Sequence, residues 1–182
     1  AVRAAASTNV GSARLVYFMG GVDNWINAKF NSSIWVDQSK NYAYQTLATN
    51  MRGFQQNIRN GTSFVLFSGE LRIPFVQLIA GHQVGFELFN SLQLNIFGDV
   101  GTAWTGLTPY SKDNCLYTRY IHSGPIDVMI RRQVDPFVGG FGLVLRCSLL
   151  GYFLRLDYAW GVEDFRIARK KGMFLFSIGT DF

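Results

Sequence analysis

The chain has 182 residues, enough for one domain, and it contains 16 Phe, 8 Tyr, 4 Trp and 19 Gly. Charged residues make up 16 % of the chain, against about 25 % in an average soluble domain. Aromatic residues suit strands and glycine suits turns and bulges, so this composition favours β-structure over helix. The net charge of +5 is scattered rather than gathered on one dense basic face, and we expect no nucleic-acid binding.

Six segments alternate between apolar and polar residues with the two-residue period of a β-strand. In chain order they are 13–20, 64–75, 91–104, 140–149, 153–160 and 173–182. The first, ARLVYFMG, is apolar on both faces and gives the weakest signal. In the second, Glu70 and Arg72 fall on one face while Phe67 and Leu71 fall on the other. The pattern predicts an all-β chain in which every strand except the first has one apolar and one polar face.

The polar face of these strands carries small residues and opposed charges, as the lumen of a membrane β-barrel would. The charged residues are Glu70, Arg72, Asp99, Arg146, Arg155 and Asp157. Segments of about 10 residues also match a tilted crossing of a bilayer, whereas ordinary strands average about 5 to 6 residues. A soluble sandwich would alternate as well, with its apolar face turned inward, and is an open alternative.

Long and short connections alternate along the chain, which predicts large loops on the outer side and short turns on the periplasmic side of a barrel. The long loops are 21–61 and 105–137, and the shortest turn is at 150–151. The connection 76–90 is long and apolar, and we expect it to lie at the membrane interface. About eight strands are the smallest common barrel, so we expect these six to belong to a larger barrel or to pair with other strands.

Four motifs resemble the C-terminal barrel region of the BamA, TamA and FhaC superfamily of outer-membrane assembly and translocation proteins, the bacterial surface antigen type. They are YFMGG at 17–21, MRGF at 51–54, FGDVG at 97–101 and the final FLFSIGTDF. Each motif alone is a weak signal, and the resemblance depends on the order and spacing of all four. Stretches such as YAYQTLATNMRGFQQNIRNG are similar to a Bacteroidetes branch in which a TolB-like propeller precedes the barrel.

The resemblance implies a fold and a place in the cell. Residues 1–182 would form about six strands, the C-terminal portion of an antiparallel transmembrane β-barrel of 16 strands in the bacterial outer membrane. The family's Phe-x-Asp-x-Gly strand motif would include Phe97 and Gly101. Its terminal-strand signal, which the assembly machinery reads, would include Phe174, Phe176, Ile178 and Phe182.

The resemblance also implies a function, which is non-enzymatic assembly or translocation of outer-membrane proteins without a cofactor. The expected partners are outer-membrane lipid and lipopolysaccharide, the remaining barrel strands, and client proteins or subunits of an outer-membrane complex. The alternative function is a structural anchor that holds a periplasmic propeller or a larger complex at the membrane. A diffusion porin is disfavoured, because the loop motif implies a plugged lumen.

Residues Arg52, Gly53 and Phe54 would form that plug. In the family this loop folds back into the lumen, and its arginine contacts acidic residues of two neighbouring strands. The resemblance implies that Glu70 and Asp99 are these acidic residues in this chain. Face parity agrees independently, because both carboxylates fall on the polar face. A planar guanidinium can bind two carboxylates through charge-assisted hydrogen bonds. A solvated loop arginine is the alternative.

No residue pattern predicts catalysis or a metal site. His82 and His122 lack ligand spacing, Ser123 has no triad context, and Cys115 and Cys147 lack CxxC spacing. The basic residues at 166–171 lie in the last outer loop, where they would meet lipopolysaccharide phosphates or simply be solvated.

Overall fold

The computed structural model describes residues 1–38, 41–76, 91–111, 118–123, 126–131, 134–149 and 151–179. These residues form an all-β structure of twelve strands. In chain order the strands are β1 (Val2–Thr8), β2 (Arg14–Met19), β3 (Tyr42–Leu47), β4 (Arg59–Gly61), β5 (Ser63–Ile73), β6 (Gln93–Trp104), β7 (Thr118–Ser123), β8 (Ile126–Arg131), β9 (Val138–Leu149), β10 (Tyr152–Glu163), β11 (Arg166–Ile167) and β12 (Met173–Gly179).

One antiparallel sheet of seven strands dominates the structure. Its order is β1-β5-β6-β9-β10, and both β11 and β12 pair with β10. The four central strands have 11 or 12 residues each, about twice the ordinary length. Their registers run without a break, so that Ser68, Asp99, Gly140 and Gly161 lie side by side in one row across the sheet.

One predicted strand exists but lies outside this sheet. The segment 13–20 forms β2, which pairs with β3 and β4 in a separate three-stranded sheet, and the edge of the main sheet is β1 instead. Strand β2 is apolar on both faces because it is covered: Val16 and Met19 are fully buried. The sequence of β1, VRAAAST, consists mostly of small residues and therefore gave no alternation signal.

Residues 9–38 and 41–62, named here the inserted segment, pack against one face of the main sheet, the inner face. The buried side chains between them come from both sides of the contact. They are Met19, Met51, Phe54 and Ile58 of the segment and Phe64, Leu66, Ala103 and Val138 of the sheet. The inner face therefore carries an apolar core as well as the charges that the alternation pattern predicted.

The opposite face of the main sheet, the outer face, is apolar and exposed. Its exposed side chains are Phe67, Leu71, Ile96, Val100, Phe141, Leu143, Leu145, Leu156, Phe174, Phe176 and Ile178. They come from β5, β6, β9, β10 and β12, so the apolar surface continues across five neighbouring strands.

The predicted loop 105–137 contains the hairpin of β7 and β8. Several predictions lie outside the described residues, namely most of the interface segment 76–90, His82, Cys115 and Phe182. Within the described ranges, no helix has the length and apolar character needed to cross a membrane.

Candidate functional site

Arg52 of the inserted segment is bound by three side chains of the inner face. Its Nε and Nη2 donate to the two carboxylate oxygens of Asp99 at 2.7 and 2.6 Å. Nη1 donates to Oε1 of Glu70 at 2.7 Å, and Nη2 also donates to the hydroxyl of Ser68 at 3.0 Å. The structure thus brings together Arg52, Glu70 and Asp99, the three residues that the sequence analysis assigned to one cluster.

The centre of the cluster is removed from solvent, whereas Glu70 at its rim is partly exposed. Arg52 is 3 % exposed and Asp99 is 1 % exposed. Burial lowers the pKa of the Arg52 guanidinium, but hydrogen bonds and charge attraction from Asp99 and Glu70 outweigh burial and raise that pKa above its ordinary value. Arg52 therefore stays charged. The excess negative charge is offset at the rim, where Nε of the half-exposed Arg72 donates to Oε2 of Glu70 at 3.2 Å.

The three residues of the Phe-x-Asp-x-Gly motif all point to the inner face of β6, because side chains two positions apart on a strand share a face. All three can therefore contact the inserted segment. The Phe97 ring lies under the Arg52 guanidinium, 3.6 Å from its central carbon. Asp99 supplies the bidentate carboxylate. Gly101 leaves room for the inserted segment, since an added Cβ there would lie 3.2 Å from the end of the Met19 side chain and 2.8 Å from the carbonyl of Val65.

Glycines let the backbone of the inserted segment approach the sheet closely. Gly53 has a φ of +91°, a left-handed conformation that favours glycine. An added Cβ at Gly140 of β9 would lie 2.1 Å from the Arg52 carbonyl oxygen. At Gly161 of β10 it would lie 2.5 Å from the ring of Phe54, which is buried. The sheet is shaped to seat residues 52–54.

A second arginine of the same segment was missed by the sequence analysis. Arg59 is 2 % exposed and ion-pairs with Glu163 through Nη1 at 2.9 Å. Its Nη2 donates to the carbonyl of Asp135 at 3.0 Å, and its Nε donates to the carbonyl of Pro136 at 3.3 Å. It therefore joins the segment to the ends of two other connections. No residue pattern in the sequence marked it, because most of its acceptors are backbone carbonyls.

The terminal-strand residues lie on β12. Phe174, Phe176 and Ile178 point to the outer face and are exposed. The edge of β12 away from β10 meets the inserted segment, where the amide of Ile26 donates to the Phe176 carbonyl at 2.8 Å. Trp25 and Ser177 form an antiparallel bridge at the same place.

The described residues contain no group of three or more His, Cys, Asp or Glu side chains placed to hold a metal ion. Cys147, on β9, is a free, half-buried thiol. Comparisons of the chain with protein-family models, with curated proteins and with solved structures give no match. The site is thus defined by its own geometry, which is a buried salt-bridge cluster that fixes a chain segment against a sheet.

Proposed function

We propose that the chain is part of an outer-membrane β-barrel of the BamA-like superfamily and acts in the assembly or translocation of outer-membrane proteins. One observation carries this proposal: a sheet of long strands exposes an apolar face on one side while an arginine-bearing segment occupies the other. A barrel wall with lipid outside and a plug inside has these two properties.

The exposure of the apolar face argues against a soluble sandwich. A sandwich buries the apolar residues of its strands between two sheets, whereas Phe67, Leu145 and Phe176 are exposed here. Soluble monomers rarely expose a continuous apolar patch of this extent. Lipid is the environment that stabilises such a surface.

In the proposed mechanism the salt-bridge cluster keeps the plug in the lumen and β12 forms one side of a seam. Opening of the seam would expose the β12 edge, which could pair with a client strand by edge addition. Gly179 at the end of β12 would weaken pairing there, since glycine lowers strand stability. The basic residues at 166–171 would lie at the outer surface, near lipopolysaccharide phosphates.

A structural anchor is the second candidate, and the contact at the β12 edge favours it. The backbone of Ile26 is already hydrogen-bonded to Phe176, so the edge is occupied within the chain. An anchor would keep this edge closed permanently.

A reversible disulfide at the edge of β12 can distinguish the assembly function from the anchor function. In a background with Cys115 and Cys147 replaced by serine, Trp25→Cys with Ser177→Cys would lock the edge of β12. The assembly function predicts that the oxidised protein fails to support folding of outer-membrane proteins in cells that depend on it, and that a reductant restores folding. Folded, heat-modifiable outer-membrane proteins provide the readout.

The matched control is Leu143→Cys with Tyr158→Cys, which crosslinks β9 to β10 at directly opposed positions. That lock should leave assembly intact. If the Trp25–Ser177 lock forms fully and assembly is unaffected, opening of the β12 edge is not part of the function and the anchor is favoured.

A further inference from the structure

The strand that returns beside β10, made of β11 and β12, contains a bulge of three residues. Val162 of β10 pairs with Ile167, and Ala159 of β10 pairs with Met173. These two pairs are three steps apart along β10 but six steps apart along the return strand. The additional residues follow Ala168, whose amide still donates to a carbonyl of β10. A bulge of this kind takes side chains out of the regular sheet and aims them in a new direction.

The bulge carries positive charge. It holds the sequence RKK at 169–171, and all three residues are exposed. None of these three side chains pairs with a carboxylate of the described residues. Glu163 of the same hairpin pairs with Arg59 instead, and Asp164 accepts a hydrogen bond from the amide of Asp135. The cations of the bulge can therefore bind a partner outside the described chain.

An aromatic cluster of the outer face lies beside the bulge. The ring centroids of Tyr158 and Trp160 are 4.5 Å apart, and Phe141 of β9 stacks on Trp160 at 5.7 Å. Phe174 of β12 lies 4.5 Å from Tyr158. Gly172, directly after the bulge, lies against the Tyr158 ring, because an added Cβ there would be 2.7 Å from it. The cations are thus held next to aromatic rings at one end of the exposed apolar face.

We propose that the bulge and the aromatic cluster form a binding site for a phosphorylated membrane lipid. Lys170 and Lys171 bind its phosphate groups, and the rings of the cluster contact the adjoining part of its acyl chains. Arg169 also borders a cleft beside Phe54 of the inserted segment, so the two lysines are the main ligands. Aromatic rings and basic side chains are the groups that recognise the head-group level of a membrane.

This site rests on the proposed membrane location of the chain, and it does not depend on the assembly function. Charge complementarity selects the occupant, because the lysines need an anion while the rings next to them need an apolar chain. A lipid with phosphate groups supplies both in one molecule.

Two forms of one lipid provide the probes. Lipid A carries phosphate groups, and its dephosphorylated form has the same acyl chains without them. Each is titrated against the purified full-length protein in detergent micelles at low ionic strength, because salt screens exposed charges. Native mass spectrometry counts the lipid molecules bound to each chain. Inorganic phosphate in lipid-free detergent tests whether the acyl chains are needed, and a glutamate-rich peptide tests for an acidic protein partner.

A pair of charge variants tests the lysines. Lys170→Gln with Lys171→Gln should weaken the binding of lipid A about tenfold to a hundredfold, the loss expected for two cations at a membrane surface. Lys29→Gln with Arg166→Gln is the matched control, because it removes the same charge from two other exposed positions. Arg166 pairs across the hairpin with Glu163, on the inner side. The control should bind lipid A like the parent.

Deletion of residues 169–171 is the second test, and it guards against a folding defect. Without these residues the return strand matches β10 step for step, so the pairing becomes continuous. The unfolding temperature should therefore stay at or above that of the parent. The binding of lipid A should fall to the level of the dephosphorylated lipid.

The site is supported if lipid A binds saturably, about tenfold or more tighter than its dephosphorylated form, and if both bulge variants lose this difference. Equal binding of the two lipid forms would overturn the site and leave the membrane location intact. Absence of binding by either form would also overturn the site, and solubility of the protein without detergent would overturn the membrane location as well. Tighter binding of inorganic phosphate or of the peptide would assign the lysines to a different partner and reject the lipid.

Discussion

Arg52 and Arg59 lie in the same inserted segment and are equally buried, yet they are held in different ways. Arg52 is bound by two carboxylates and a hydroxyl of β5 and β6. Arg59 is bound mainly by backbone carbonyls, with one carboxylate, Glu163, that is a quarter exposed. The first arginine ties the segment to the middle of the sheet, and the second ties it to neighbouring connections.

This difference in partners predicts a different structural effect when each arginine is removed. Loss of Arg52 leaves the buried charge of Asp99 on the sheet itself, at a place that water reaches poorly. Loss of Arg59 leaves carbonyls near the ends of connections, where local rearrangement can solvate them. We therefore expect Arg52 to govern the stability of the sheet and Arg59 to govern the order of the connections around it.

The largest effect is expected from Arg52→Ala. It leaves Asp99 as a buried charge without its cation, which costs about 3 to 5 kcal/mol, whereas Glu70 keeps its pair with Arg72. The free energy of unfolding in detergent and the heat-modifiability on gels measure the loss. Arg72→Ala is the matched control, because it removes a half-exposed arginine from the same Glu70 and should cost about 1 kcal/mol or less. Equal losses in the two variants would contradict a structural role for the cluster.

A smaller effect is expected from Arg59→Ala, at about 3 kcal/mol, since it leaves buried carbonyls and Glu163 without their donor. Limited proteolysis of intact membranes should show faster cleavage within residues 105–137 and 161–171. Arg52→Ala should loosen the inserted segment before these connections. Identical cleavage patterns in the two variants would remove the distinction between the arginines.

Gly140→Ala tests the close approach of the segment that carries Arg52. The added methyl group would clash with the Arg52 carbonyl, and overpacking of this kind costs about 1 to 3 kcal/mol. Gly98→Ala is the control, because a Cβ at Gly98 would meet open space. If unfolding shows the same stability for both alanine variants, residues 52–54 do not rest on β9.

The smallest effect is expected from Glu163→Gln, about 1 kcal/mol or less, because this pair is partly exposed and such pairs contribute little. Arg59 would keep its carbonyl acceptors. The same unfolding measurement checks this value, with Glu70→Gln as the counterpart and a larger loss expected there, because Glu70 pairs with two arginines. A greater loss at Glu163 would show that the carboxylate, rather than the carbonyls, holds Arg59.

The strands of the main sheet could be predicted from the sequence where apolar and polar side chains alternate. Strands β5, β6, β9, β10 and β12 each separate apolar from polar residues, and the structure has all five in one sheet. The meeting of Arg52 with Glu70 and Asp99 was predictable for a related reason, because face parity and a family-like motif both select the same carboxylates.

The other strands and contacts of the structure have no comparable pattern in the sequence. The small side chains of β1 carry no alternation, and the apolar residues of β2 are equally suited to a barrel wall and to a covered strand. Arg59 binds carbonyls, which every residue possesses, so no residue type marks its partners. The placement of Arg146 directly opposite Arg155 depends on strand register, which periodicity alone does not fix.

The position of the inserted segment against the main sheet also has a consequence for folding. Arg52 lies 47 residues before Asp99 in the chain, and Arg59 lies 104 residues before Glu163. The segment therefore precedes in the chain the strands that receive it. Contacts between such distant positions slow folding, so we expect Arg52 to reach Asp99 and Glu70 only after β5 and β6 have paired.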